Sequence, residues 1–145
     1  YVALADDRGL RIVADGFAFP NECRFDADET WLYVAETTGP HVTRLRIAED
    51  GSVAEREVFG PAHHGAFIDG IAFDAFGNLW GTHVMIDRVF ALTPEGDLRI
   101  LLDDDHGSPE GAALMAAFAG EELRARSAVI LKKKKIFSGL LQRDS

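Results

Sequence analysis

The chain repeats itself, and the period of the repeat decides what it can fold into. Setting NECRFDADETWLYVAET over DGIAFDAFGNLWGTH places Phe25 on Phe73, Asp26 on Asp74 and Ala27 on Ala75, then, after one gap, Leu32-Tyr33 on Leu79-Trp80. Asn21 and Asp69 head the two copies, 48 residues apart. A similar strand follows each copy, HVTRLRI and then RVFALTP, and after it come a turn (AEDGSV, PEGDL) and an outer strand (AEREVF, LRILLD). The amino terminus is a further partial copy: at a constant offset of 88, Leu4 meets Leu92, Leu10 meets Leu98, Arg11 meets Arg99 and Asp15 meets Asp103. Short alternating strands divided by Gly and Asp turns predict an all-β fold. Four strands in a unit of about 45 residues is the pattern of a β-propeller blade. An isolated four-stranded sheet cannot bury both faces, so blades stack, and Phe73, Leu79, Val89 and Leu92 are the residues expected to cover a neighbour. A β-sandwich would show the same alternation but would not account for the constant offset.

The repeat runs out after Asp105. GSPEGAALMAAFAGEELRAR offers Ser108 as N-cap, Pro109 at the first helical position, Glu110 in the first turn and a Leu114/Phe118 stripe. This predicts an inserted helix near 109–126. The organisation expected is thus a partial propeller over 1–107, a helical insertion over 108–127, and an irregular or edge-strand tail over 128–145. A chain that starts inside a strand, with no initiator Met and no signal pattern, reads as part of a longer propeller.

Composition narrows the partners. A formal charge of −9 argues against nucleic acid, which needs basic patches on its phosphates. The one basic run, Lys132 to Lys135, reads as a solvated face. No apolar run approaches the roughly 20 residues of a membrane helix, so no membrane partner is expected. Cys23 is the only cysteine, which excludes an internal disulfide and reads as a small buried group in a reducing, cytoplasmic setting.

Asn21 and Asp69 each stand at the start of an apolar strand, where a polar side chain is costly to bury. In a propeller the first strand of each blade is innermost, and equivalent positions face the axis at one mouth of the channel. An amide oxygen and a carboxylate turned to one centre are ligands a hard divalent ion accepts. A second reading stays open: each residue hydrogen-bonds local backbone in a turn, as Asx residues commonly do.

These same stretches, FPNECRFDADETWLYVAETTGPHVTRLRI and FIDGIAFDAFGNLWGTHVMIDRVFALTPEGDL, resemble the SMP-30/gluconolactonase/luciferin-regenerating family of six-bladed propellers. VAETTGPHVTRLRI is also similar to the related strictosidine synthase-like propellers. The resemblance covers about residues 1 to 105 and implies that two to three of six blades are present here. It implies a divalent metal at the channel mouth, calcium first with zinc and magnesium as alternatives. Asn21 of PNE and Asp69 of IDG would be its ligands, and Asp69 the general base. A Glu and a second Asn that complete the family's shell have no counterpart in this chain, and PNE departs from the family's PNG. The activity implied is metal-assisted hydrolysis of a small-molecule lactone of the gluconolactonase type.

Other residues are weighed beside these. His64 and His83, with Glu22, are the candidate substrate contacts; Glu22 is otherwise expected to point to solvent, or to serve as an extra ligand. The histidines lack zinc-ligand spacing, which leaves ordinary loop histidines as the alternative. Glu36 is read as a structural hydrogen-bonding group and DADETW as a hairpin turn. The rival function is a non-catalytic propeller module that binds a partner, or an inactive truncated propeller. Open blade edges invite two copies to pair as a homodimer.

Overall fold

The computed structural model describes residues 1–103 and the strand 130–132; the helix expected near 109–126 lies outside the described residues. The strands are β1 (Val2–Asp6), β2 (Gly9–Ala14), β3 (Pro20–Phe25), β4 (Trp31–Glu36), β5 (His41–Ile47) and β6 (Val53–Phe59). They continue with β7 (Ile68–Phe73), β8 (Leu79–His83), β9 (Arg88–Leu92), β10 (Leu98–Asp103) and β11 (Ile130–Lys132). Strands β3 to β6 form one four-stranded antiparallel meander and β7 to β10 a second. The second repeats the first strand for strand, as the 48-residue period requires. β1 and β2 pair as the outer hairpin of a preceding unit. Beside β1, where β8 lies beside β9, runs β11, but parallel to its neighbour.

The middle meander is covered on both faces. Along β4, Leu32 and Val34 point into one apolar cluster with Val2 and Leu4 of β1. Tyr33 and Ala35, on the opposite face, join a second cluster with Ile68, Ile71, Leu79, Phe90 and Leu92 of the next meander. Successive side chains of a strand alternate between faces, so a strand sandwiched between two sheets is apolar throughout, and Leu32 to Glu36 are all buried. The outermost β6 is different: Ala54 to Val58 are exposed, and its charged residues pair across the ladder, Arg44 with Glu57 and Arg46 with Glu55. Charge on an outer strand discourages edge-to-edge association. Stacked four-stranded sheets with an inner strand first and an outer strand last are propeller blades.

Of the four residues expected to cover a neighbouring blade, Leu79 and Leu92 lie in the cluster between blades and Phe73 packs against it. Val89 is buried but opposes Thr82, one step out of phase with Phe90, and so faces the other side of the sheet. Gly81 lies opposite Phe90, where a Cβ would stand 2.4 Å from the ring's Cζ. Glycine is required there by the close approach of the ring.

Candidate functional site

The two innermost strands share a defect at the same place. Pro20 pairs with Glu36 and Cys23 with Val34, so three steps along β3 match two along β4. Ile68 pairs with His83 and Ile71 with Gly81, so β7 does the same against β8. Each is a β-bulge, which leaves an extra residue out of the ladder and re-aims its side chain. The bulged residues are Asn21 and Glu22 in one blade, Asp69 and Gly70 in the next. Asn21 Nδ2 donates a hydrogen bond to Asp69 Oδ1, and both side chains are half-buried. The structure thus brings the two predicted residues to one point, and the partner of each is the other, not local turn backbone.

Glu22 corrects the expectation of a solvent-facing side chain. It is 7% exposed, and its Oε2 accepts the Ile71 N–H from the neighbouring blade at 2.8 Å. Its Oε1 pairs with the Arg24 guanidinium. β7 is an edge of its sheet and, among the described residues, has a ladder partner on the β8 side alone, so Glu22 supplies an acceptor on the open side. The equivalent residue in the second copy is Gly70, which carries no side chain. A glutamate where the repeat has glycine was the available signal for this role.

Glu36 is structural, as expected. Buried to 2%, it accepts hydrogen bonds from the Ala18 N–H and the Thr43 hydroxyl and pairs with His41 Nε2 at 3.2 Å. Burial pushes the Cys23 thiol up to about 12, so it stays protonated. Asp26 serves its hairpin as read, accepting the Thr30 N–H at 2.8 Å.

His64 and His83 are brought together, with His83 opposite Ile68 in the ladder, one residue before Asp69. His64 Nδ1 lies 3.2 Å from His83 Nε2, His83 stacks on Phe90 at 4.4 Å, and His64 meets the same ring edge-on at 5.0 Å. Both histidines are buried, and His64 Nε2 and His83 Nδ1 have no hydrogen-bond partner among the described residues. Burial lowers both, to about 4, with nearby His41 and His63 adding to the effect at His64 and with His64 and Arg88 adding to it at His83, where Asp103 opposes it. The folded chain therefore binds fewer protons here than the unfolded chain below the ordinary histidine value of about 6.5. The stability contributed by the neutral pair is complete above that value and is lost as pH falls from 6.5 towards 4. Urea unfolding should accordingly show a loss on the order of 2 kcal/mol between pH 7 and pH 5. The His64→Gln/His83→Gln double variant should show a clearly flatter profile.

The donor set at the mouth is hard: with the Asn21 amide nitrogen engaged, Asn21 Oδ1 and Asp69 Oδ2 are the oxygens left to meet a cation. Two oxygens are part of a shell of about 6–8, and no group of three His, Cys, Asp or Glu that could hold a metal occurs among the described residues. No helix among the described residues is long and apolar enough to cross a membrane.

Stacked four-stranded antiparallel sheets with matching bulges in their first strands place the chain among the β-propellers. The family comparison is specific. The model of the SMP-30/Gluconolactonase/LRE-like region matches residues 1–125, and the chain belongs to that family. A 6-deoxy-6-sulfogluconolactonase from Pseudomonas putida is 29% identical over 116 residues, 79% of this chain and 38% of the relative. A gluconolactonase structure from Xanthomonas campestris superposes with a TM-score of 0.57 at 27% identity, covering 68% of this chain and 32% of that one. The calcium-binding protein regucalcin from Agrobacterium tumefaciens superposes with a TM-score of 0.56 at 16% identity, covering 79% and 47%, which speaks for the fold alone. The chain thus spans about 38% of the length of the curated relative it matches.

Proposed function

We propose that this chain carries one side of the catalytic mouth of a divalent-metal-dependent lactone hydrolase, with Asn21 and Asp69 as metal ligands and Asp69 as general base. The observation that carries the reading is the meeting of these two side chains across one blade of separation, on matching bulges. Family membership supports the reaction class, and the hard oxygen donors suit calcium, with zinc and magnesium as weaker fits. A bound divalent ion would supply Lewis-acid polarisation of the lactone carbonyl and acidify a water. The chain's own residues do the rest. Asn21 Nδ2 holds the Asp69 carboxylate through Oδ1; Oδ2 is the oxygen that would meet the ion, and its remaining lone pair would take a proton from the attacking water. Opening the ring then needs that proton returned to the departing alkoxide, for which the protonated Asp69 is the available donor. Glu22 holds β3 to β7 and so keeps the two bulges in register.

The non-catalytic reading has one observation in its favour, the absence of a third acidic or histidine ligand among the described residues. Metal titration separates the two. Calcium at a hundredfold excess over its dissociation constant should stabilise the folded chain by about 2.7 kcal/mol, read as a rise in thermal midpoint. Asp69→Ala should abolish that rise. An unchanged midpoint with calcium, zinc and magnesium alike would remove the metal and leave the binding module.

A further inference from the structure

A second feature opens at the same end of the blades. The β4–β5 turn, the segment leading into β7 and the β8–β9 turn enclose a crevice of about 320 Å³. Its walls include Pro40, Ala66, Phe67, Val84, Met85 and Ile86. Phe67 stands two residues ahead of Asp69, and its carbonyl accepts the Val84 N–H at 3.0 Å, which ties one wall to the other. The crevice is thus bordered by the segment that leads into Asp69, although Asp69 itself does not line it.

Large apolar groups are left in water here. Phe67 is 46% exposed and Met85 66%. Phe19, which occupies Phe67's position in the other copy, is 65% exposed. Met85 and Phe19 also hold left-handed backbone, with φ of 77° and 58°. That region is unfavourable for bulky side chains and persists where the surroundings impose it, often at ligand clamps. Exposure and strain both cost stability, and both fall on bulky apolar residues at this end. Among the described residues the side chains able to bond a hydroxyl are few: Thr38 and His63 line the crevice, and no described Arg, Lys, Asp or Glu does. A polyhydroxylated or sulfonated ring seated there would lose more hydrogen bonds to water than it regained.

We infer that this crevice seats the apolar substituent of the substrate, so that the site selects alkyl- or aryl-substituted lactones over sugar lactones. The inference rests on the lactone reading above and names the substrate class of that same site. Phe67 and Met85 determine the specificity by covering the substituent; the hydrolytic step remains that of Asp69.

The test measures binding separately from turnover. Dissociation constants for δ-valerolactone, δ-octalactone, δ-decalactone and glucono-δ-lactone are determined by NMR titration of the Asp69→Asn protein. Affinity should rise about two- to fourfold for each added methylene until the crevice is filled. Glucono-δ-lactone should bind at least tenfold more weakly than δ-decalactone. Phe67→Ala and Met85→Gly should each flatten the chain-length dependence. Met85→Gly should also keep or raise the thermal midpoint, because glycine is at ease at that φ; this outcome separates lost contact from lost folding. Preferred binding of glucono-δ-lactone, or a chain-length dependence that survives both variants, would overturn the inference. So would absent lactone binding with a dimer that Phe67→Ala dissociates, since a second copy would then fill the crevice. A wild-type protein that hydrolyses none of the four lactones would refute the hydrolase reading, while the binding series still decides the crevice.

Discussion

Replacing Phe90 with alanine is expected to remove about 3–5 kcal/mol of folding stability, a large share of the roughly 5–15 kcal/mol that a domain typically has. The ring is fully buried between two blades, stacked on His83 and edge-on to His64. Its removal leaves a cavity and strips the apolar cover from two neutral imidazoles. Gly81 gives the check. Gly81→Ala alone drives a methyl into Phe90 Cζ, and overpacking of this kind costs about 1–3 kcal/mol. In the Phe90→Ala background that methyl enters vacated space, so the double variant should be more stable than the sum of the single losses predicts. Denaturant unfolding of the four forms measures this coupling. Additive losses would show that ring and glycine do not share one contact.

The second large effect is expected at Asp69. Asp69→Asn keeps the size of the side chain and a partner for Asn21, but on the proposed mechanism it takes away the group that accepts the water's proton and weakens a ligand of the metal. Loss of a general base costs about 10²- to 10⁴-fold in rate. A pH-stat assay of lactone opening should therefore show kcat reduced by at least a hundredfold, with the thermal midpoint of the metal-free protein nearly unchanged. A fall of less than tenfold would take the base assignment away from Asp69 and leave it only a ligand's role. Folding should be little affected because Asp69 is half-buried and its side-chain bond is to Asn21, outside the apolar clusters.

Much of this was legible in the residues. The copies headed by Asn21 and Asp69, the turns at AEDGSV and PEGDL, and the alternation of β3 to β10 follow from short-range rules. Glycine at positive φ closes both turns, at Gly51 and Gly96, and polar and apolar residues alternate where one face is wet. What escaped was set by contacts between copies. Glu22 looks like a surface residue because its neighbours in the chain give no hint that a strand 49 residues on lacks an acceptor. His64 and His83 come from different elements, and it is the tertiary packing of both rings against Phe90, with their nitrogens 3.2 Å apart, that makes them a pair. Phe67 and Met85 look like core residues by type, yet both are exposed.

By itself the sequence determined the propeller unit, its period and the two polar residues that open its inner strands, because periodicity and turn chemistry act over a few residues. Only the tertiary structure decided that those residues touch. A bulge shifts the phase of a strand by one residue without changing its composition, and the same phase shift in two adjacent blades turns an amide and a carboxylate, one full repeat apart, onto each other.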